Sequence, residues 1–310
     1  MRQRSLLPVL LCAAAFCSSD GPDAARTGTS GTPRQLYLVE GFDQPESVQY
    51  DPDQDVFFVS NMVGHGSVED GTGYIKWFAA DDPERSGVLA RSGVNGVVLN
   101  APKGLALQGD TLWAADIDVL RAFDRRSGQP LASLDLSRHG AVLLNSITSA
   151  PDGTLFVTDS GIVMSEKGVI YGDGGRIFTV EAGEVRIVAA GSELGFPNGI
   201  RWDEESGRLL VASFHPFRSE VYALPAGGGE RTLVGTGYGR FDGVGVLEDG
   251  SVLATAWSDS SLYAFTDGSG VRLIHDLWQP ADFAIDTRRG RIAIPLVLPG
   301  QVGIWELGSR

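Results

Sequence analysis

Cysteine is nearly absent: the only two, Cys12 and Cys17, fall within the first 17 residues of a 310-residue chain. The remaining polypeptide can form neither a disulfide nor a thiolate-ligated metal site, so its stability has to come from packing. Positive charge is also scarce, with 25 Lys plus Arg against 39 Asp plus Glu and a formal net charge of −14. Such a surface repels a phosphate backbone and an anionic lipid layer, which argues against nucleic acid as a partner. Long hydrophobic runs are missing as well. The one sustained stretch, residues 6–16 behind Arg2 and Arg4, is too short to span a bilayer, and no other segment is long and apolar enough for a transmembrane span. Residues 1–17 read as an export signal, so the protein is expected to be periplasmic, secreted or lipid-anchored. Residues 18–33 read as a flexible linker. Cys17 could carry a lipid anchor, but the bulky Phe16 before it fits ordinary cleavage equally well.

A helical stripe of apolar residues is the next absence. From Leu36 onward, apolar residues alternate or come in short β-branched and aromatic runs bounded by Gly, Asp, Asn and Pro, and glycine is abundant at 41 of 310. The chain is therefore expected to be all-β with many tight turns. A repeat runs through it: Pro45-Glu46-Ser47-Val48, Pro102-Lys103-Gly104-Leu105, Leu144-Asn145-Ser146-Ile147, Pro197-Asn198-Gly199-Ile200, Phe241-Asp242-Gly243-Val244 and Pro280-Ala281-Asp282-Phe283. The second residues of these tetrads lie 39 to 57 apart, a spacing that suits a four-stranded propeller blade. Each copy continues into a second and a third apolar run, and some show a weaker fourth. The sixth copy ends after its third run, whereas an unassigned run at residues 36–39 precedes the first. Pairing these two closes the ring and removes a free edge. Residues 34–310 are thus read as one six-bladed β-propeller, four antiparallel strands per blade, closed by the N-terminal strand.

First strands line the central channel of a propeller, so Glu46, Lys103, Asn145, Asn198, Asp242 and Ala281 are expected to form a ring near one mouth. Second strands return to the same face and are expected to bring Asn61, Asp116, Asp159, Phe214 and Trp257 around it. The long connections 61–73 and 160–175, carrying His65, Met164 and Tyr171, would form a partial lid. Two carboxylates on a narrow axis repel each other unless a cation intervenes. Carboxylates with amide carbonyls, and no thiolate or imidazole, are hard donors that favour calcium. Two other readings stay open at this point: ordinary Asn and Asp turn capping, and a metal-free pairing of Lys103 with Glu46 or Asp242. A nucleophilic triad lacks support, because the four histidines are not accompanied by a Gly-x-Ser-x-Gly elbow.

The Pro45-Glu46 entry, Leu144-Asn145, Pro197-Asn198-Gly199 and Phe241-Asp242-Gly243, spread over six blades, resemble the regucalcin (senescence marker protein)/gluconolactonase family of propellers. The resemblance implies a divalent metal, usually calcium, held by Glu46, Asn198 and Asp242, with Asn145 as a further ligand or substrate contact, and hydrolysis of a lactone. Some sugar lactonases of that family carry an Arg two residues before the Asn of the third copy. Leu143 stands there, which argues against a sugar lactone, while Ser146 and Lys103 also depart from the pattern.

The activity expected is metal-assisted hydrolysis of a lactone or related ester, a small-molecule substrate, with water as nucleophile and Asp242 as base. Asn145, Lys103 and Trp257 would contact the substrate, Lys103 by stabilising negative charge. The alternative is a non-catalytic exported propeller that binds a ligand or protein partner around a structural metal.

Overall fold

The computed structural model describes residues 32–165, 168–266 and 268–308. The export segment with Cys12 and Cys17, and the linker up to residue 31, lie outside the described residues.

Six four-stranded antiparallel sheets surround a central axis. Their inner strands are Pro45–Asp51, Pro102–Gln108, Leu144–Ser149, Pro197–Asp203, Phe241–Val246 and Ala284–Asp286, which define blades 1 to 6. The second strands are almost wholly buried, Val56–Asn61 and Leu155–Asp159 at every position. Outer strands such as Pro130–Asp135 and Glu184–Ala190 face solvent, which explains their weak apolar signal in the sequence. Blade 6 is completed by Arg34–Val39, which pairs antiparallel with Gln301–Glu306, so the expected closure is observed.

Each strand feeds two cores because successive side chains point to opposite faces. Phe57 joins Val48, Ala293 and Ile304 in the core between blades 6 and 1, while neighbouring Phe58 joins Leu105, Leu112 and Phe123 between blades 1 and 2. Four further cores fill the remaining blade interfaces. Tyr222, Tyr263 and Trp305 lie in these, as third-strand aromatics are expected to. On the face away from the tetrads, two arginines pin blades together. Arg125 of blade 2 reaches Asp51 and Asp53 of blade 1, while Arg289 of blade 6 reaches Asp55 of blade 1.

Three local features go beyond these expectations. The connection 160–175, expected as part of a lid, contains a hairpin, Ile162–Ser165 paired with Gly168–Tyr171, which stands outside the blades. Two short apolar runs, Ile162-Val163-Met164 and Val169-Ile170-Tyr171, with Gly168 between them, are the signal the sequence carries for it. The inner strand of blade 6 is shortened to three residues, because Asp282 and Pro280 make only isolated bridges, to Ser47 and Leu296. Finally, Asn61, Asp116 and Asp159 spend side-chain oxygens on backbone donors. Each accepts backbone N–H groups from the loop entering its own inner strand: Asp43 onto Asn61, Asn100 and Ala101 onto Asp116, Val142 and Leu143 onto Asp159. Buried backbone donors need partners, and these side chains supply them.

Candidate active site

In blades 1 to 5 the pairing of the inner and second strands slips at the tetrad: between Pro45 and Val48, Pro102 and Leu105, Leu144 and Ile147, Pro197 and Ile200, and Phe241 and Val244. A bulge breaks the strict alternation of side chains and re-aims one of them. The residue so re-aimed is the ring member itself. The backbone N–H next to it loses its ladder partner, and in three blades a buried hydroxyl on the second strand replaces it. Ser47 N–H donates to Ser60 Oγ at 2.9 Å, Ser146 N–H to Thr158 Oγ1 at 2.9 Å, and Gly243 N–H to Thr255 Oγ1 at 2.8 Å.

In blades 1 to 5 the residue after the ring member is Ser or Gly, because inner strands nearly touch at the axis. A Cβ on Gly199 would lie 2.2 Å from the Asp242 carbonyl oxygen, and one on Gly104 2.5 Å from Ser146 Cα. The ring residues Glu46, Lys103, Asn145, Asn198 and Asp242 are between 1% and 4% exposed.

Four side-chain oxygens in this ring are buried without a hydrogen-bond partner: Glu46 Oε2, Asn145 Oδ1, Asn198 Oδ1 and Asp242 Oδ1. They come from blades 1, 3, 4 and 5. The contact found within the set is long, Asn198 Nδ2 donating to Asp242 Oδ2 over 3.5 Å. Burial pushes the Glu46 carboxyl well above its ordinary range, and Asp242 pushes it further. Asp242 is raised well above its range too, by burial first and then by Asp282, against the lowering effects of Trp257, Asn198 and Lys103. Two carboxyls in that state hold protons unless a cation takes their place.

Among the described residues no three His, Cys, Asp or Glu side chains form a cluster suited to a metal. An ion in the ring would have to be held by a mixed set of two carboxylates and two amides. The chemistry of that set suits calcium: the oxygens are unpartnered, buried and anionic enough for a divalent charge.

Lys103 is buried but forms no ion pair among the described residues. Its Nζ donates to the Gly66 carbonyl at 2.6 Å and the Ala101 carbonyl at 3.1 Å, which ties the 61–73 connection down over the ring. Burial lowers its pKa, against the raising influence of Glu46, Asp116 and Asp242. The direct pairing of Lys103 with Glu46 or Asp242 that the sequence left open is thus not seen.

Asp282, the residue after Ala281 in the sixth tetrad, is buried beside the ring. Its Oδ2 accepts Ser47 Oγ at 3.0 Å and Ser146 Oγ at 3.3 Å, so it clamps the residues that follow Glu46 and Asn145. Its own N–H donates to the Glu46 carbonyl at 2.9 Å.

Above the ring, the residue following the second strand in each blade forms a further circle: Met62, Ile117, Ser160, Phe214, Trp257 and Val297. Met62, Ile117 and Val297 pack together and Trp257 leans on them; Trp257 also meets the Phe214 ring edge-on at 5.3 Å. The hairpin closes over this circle, with Ile162, Met164 and Tyr171 against Phe214, and Met164 N–H donating to Ser67 Oγ at 2.9 Å. His215 takes no part in the ring, since its Nδ1 accepts the N–H groups of Phe217 and Arg218 in a turn. A cleft of about 540 Å3, lined by Trp202, Val246, Leu247, Ile285 and Leu307, lies at the opposite end of the axis.

No curated protein matches the sequence. Among solved structures, the chain is similar to a gluconolactonase from Xanthomonas campestris, at 16% identity over 89% of this chain and 95% of that one, with a TM-score of 0.65. It is also similar to a luciferin-regenerating enzyme, at 12% identity over 87% and 94% of the two chains and a TM-score of 0.65. A chain in a nidogen/laminin complex matches at 21% identity over 71% and 74%, with a TM-score of 0.55. At these identities the likeness concerns the fold. The family model described as the SMP-30/gluconolactonase/LRE-like region covers residues 38–282, most of the sequence, and the chain belongs to that family.

Proposed function

We propose that the protein is a calcium-dependent hydrolase of a lactone or related ester, with the ion held by Glu46, Asn198, Asp242 and Asn145. The observation that carries this reading is the set of four unpartnered oxygens from four blades. Buried acceptors left without donors are costly, and a fold keeps such a set where something else completes it. When bound, calcium supplies Lewis-acid polarisation of the ester carbonyl and charge to oppose a developing oxyanion.

The chain's own residues supply the rest. Asp242 is the base that takes the proton of the attacking water, with Asn198 and Trp257 favouring its ionised form. Asn145 orients the substrate from the far side of the ring, since its amide carries donors as well as the unpartnered oxygen. Lys103 has spent two of its N–H groups on Gly66 and Ala101, and the third is available to negative charge near the ring. The bulges and the Asp282 clamp hold these groups in place before any ligand arrives, which is where positioning gives rate.

The deep burial of the ring favours one competitor, a non-catalytic propeller in which the ion only ties blades together. A single experiment separates the two: lactones and aryl esters are screened after chelation and after calcium re-addition, in the wild type, Glu46→Gln and Asp242→Asn. The hydrolase reading expects turnover only with calcium and a loss of about 10²–10³-fold in each variant. Turnover indifferent to chelation and to both substitutions overturns it.

A further inference from the structure

The circle of residues above the ring bears on what kind of ester can enter. Five of its six members, Met62, Ile117, Phe214, Trp257 and Val297, are apolar, and Ser160 Oγ is already committed to the Pro197 carbonyl at 3.0 Å. The hairpin adds Ile162, Met164 and Val169 on the same side. Two polar atoms near this circle are buried without partners, Tyr171 Oη and Arg240 Nε, the latter belonging to a guanidinium 6.0 Å from the Phe214 ring, while the Trp257 indole N–H serves Asp242. The guanidinium nitrogen can only donate, and the phenol can do so. The unpartnered acceptors in this region are the ring oxygens that a cation would occupy.

A ligand that matches this inventory presents carbonyl and ester oxygens on an apolar body. A polyhydroxylated ring brings several O–H donors instead. Buried against Met62, Ile117, Phe214 and Val297, those donors find no acceptor, and an unpaired buried hydroxyl costs far more than a missing methylene. Resting on the hydrolase reading above, we infer that the substrate is an alkyl- or aryl-substituted lactone or ester and not a sugar lactone. The selecting residues are Met62, Ile117, Phe214, Trp257 and Met164 of the hairpin.

The test measures kcat/KM in calcium for γ-butyrolactone, γ-nonalactone and dihydrocoumarin against D-glucono-δ-lactone. The inference expects about a fourfold rise per added methylene until the apolar circle is filled. It also expects gluconolactone to lie at least a hundredfold below γ-nonalactone. Met164→Gln, at a half-buried position, should flatten the chain-length dependence while thermal melting shows an intact fold. Gluconolactone turned over as well as γ-nonalactone overturns the inference and leaves the hydrolase reading standing. If none of the four is hydrolysed, the hydrolase reading has failed for these substrates, and a binding measurement decides the inference. The probe is the non-hydrolysable 2-heptylcyclopentanone, followed by tryptophan fluorescence in the wild type and in Trp257→Phe. Saturable quenching in the wild type that is lost in Trp257→Phe supports an apolar ligand at this mouth. No binding overturns it.

Discussion

Replacing Asp242 by Asn should have opposite effects on stability depending on whether a divalent ion is present. Glu46 and Asp242 are both raised well above their ordinary ranges, burial being the first cause in each. A carboxyl raised in the folded state binds more protons there than in the unfolded chain. Stability without a cation is therefore full below about pH 4 and declines as pH rises through the folded pKa values. Calcium displaces the protons, so its affinity should climb with pH, by tenfold per unit for each proton released. At a free concentration one hundred times its Kd, calcium adds about 2.7 kcal/mol to the wild type. For a domain of this size that corresponds to a Tm rise of about 5 °C. Asp242→Asn keeps the shape of the protonated side chain but removes one of two charges. In EDTA at pH 8 its Tm should equal or exceed that of the wild type, and with calcium the rise should shrink to about 1 °C. Differential scanning calorimetry at pH 5.5 and 8, with EDTA and with calcium, reads all of these quantities. Wild-type melts that coincide in EDTA and calcium at pH 8, or a calcium shift retained in Asp242→Asn, would refute the reasoning.

Two further predictions test the frame around the ring. Gly199→Ala places a methyl 2.2 Å from the Asp242 carbonyl oxygen, so blade 5 must shift. The cost should be about 1–3 kcal/mol by chemical denaturation, and calcium affinity by isothermal titration should fall at least tenfold. An unchanged affinity would show that the ring tolerates displacement. At the other end, Arg289 holds Asp55 at about 2, below the usual carboxylate range. That contribution is present above about pH 3.8 and is lost as pH falls towards 2. Arg289→Ala should therefore cost about 1 kcal/mol at pH 7, discounted for partial exposure, with a deficit that closes near pH 2; an equal deficit at both pH values would contradict the assignment.

The repeat was legible because in blades 1 to 5 each ring member sits between a strand start and a Ser or Gly, the small residue being set by close approach at the axis. The closing strand was legible from counting runs alone. The bulges were not, since a slipped register leaves the alternating pattern of the rest of the strand intact. Ser60, Thr158 and Thr255 looked like ordinary strand residues, yet they satisfy the N–H groups that the bulges release. Asn61, Asp116 and Asp159 are the opposite case: acidic and amide side chains at strand ends suggest a ligand, but backbone donors in the adjoining loops claim side-chain oxygens of each. The hairpin 162–171 was passed over because its pairing is local and independent of the sixfold spacing that organised the rest.

The seam between Arg34–Val39 and Gln301–Glu306 joins residues as far as 272 apart in the chain. Until Glu306 has been translated, the first strand has no partner, and its backbone donors and acceptors stay open to any neighbouring edge. Completion of the ring is therefore a late, long-range event that sets the pace of folding. At high concentration the same seam can be satisfied between molecules, one chain's first strand finishing another's sixth blade, so refolding yield should fall and exchanged dimers should accumulate as protein concentration rises.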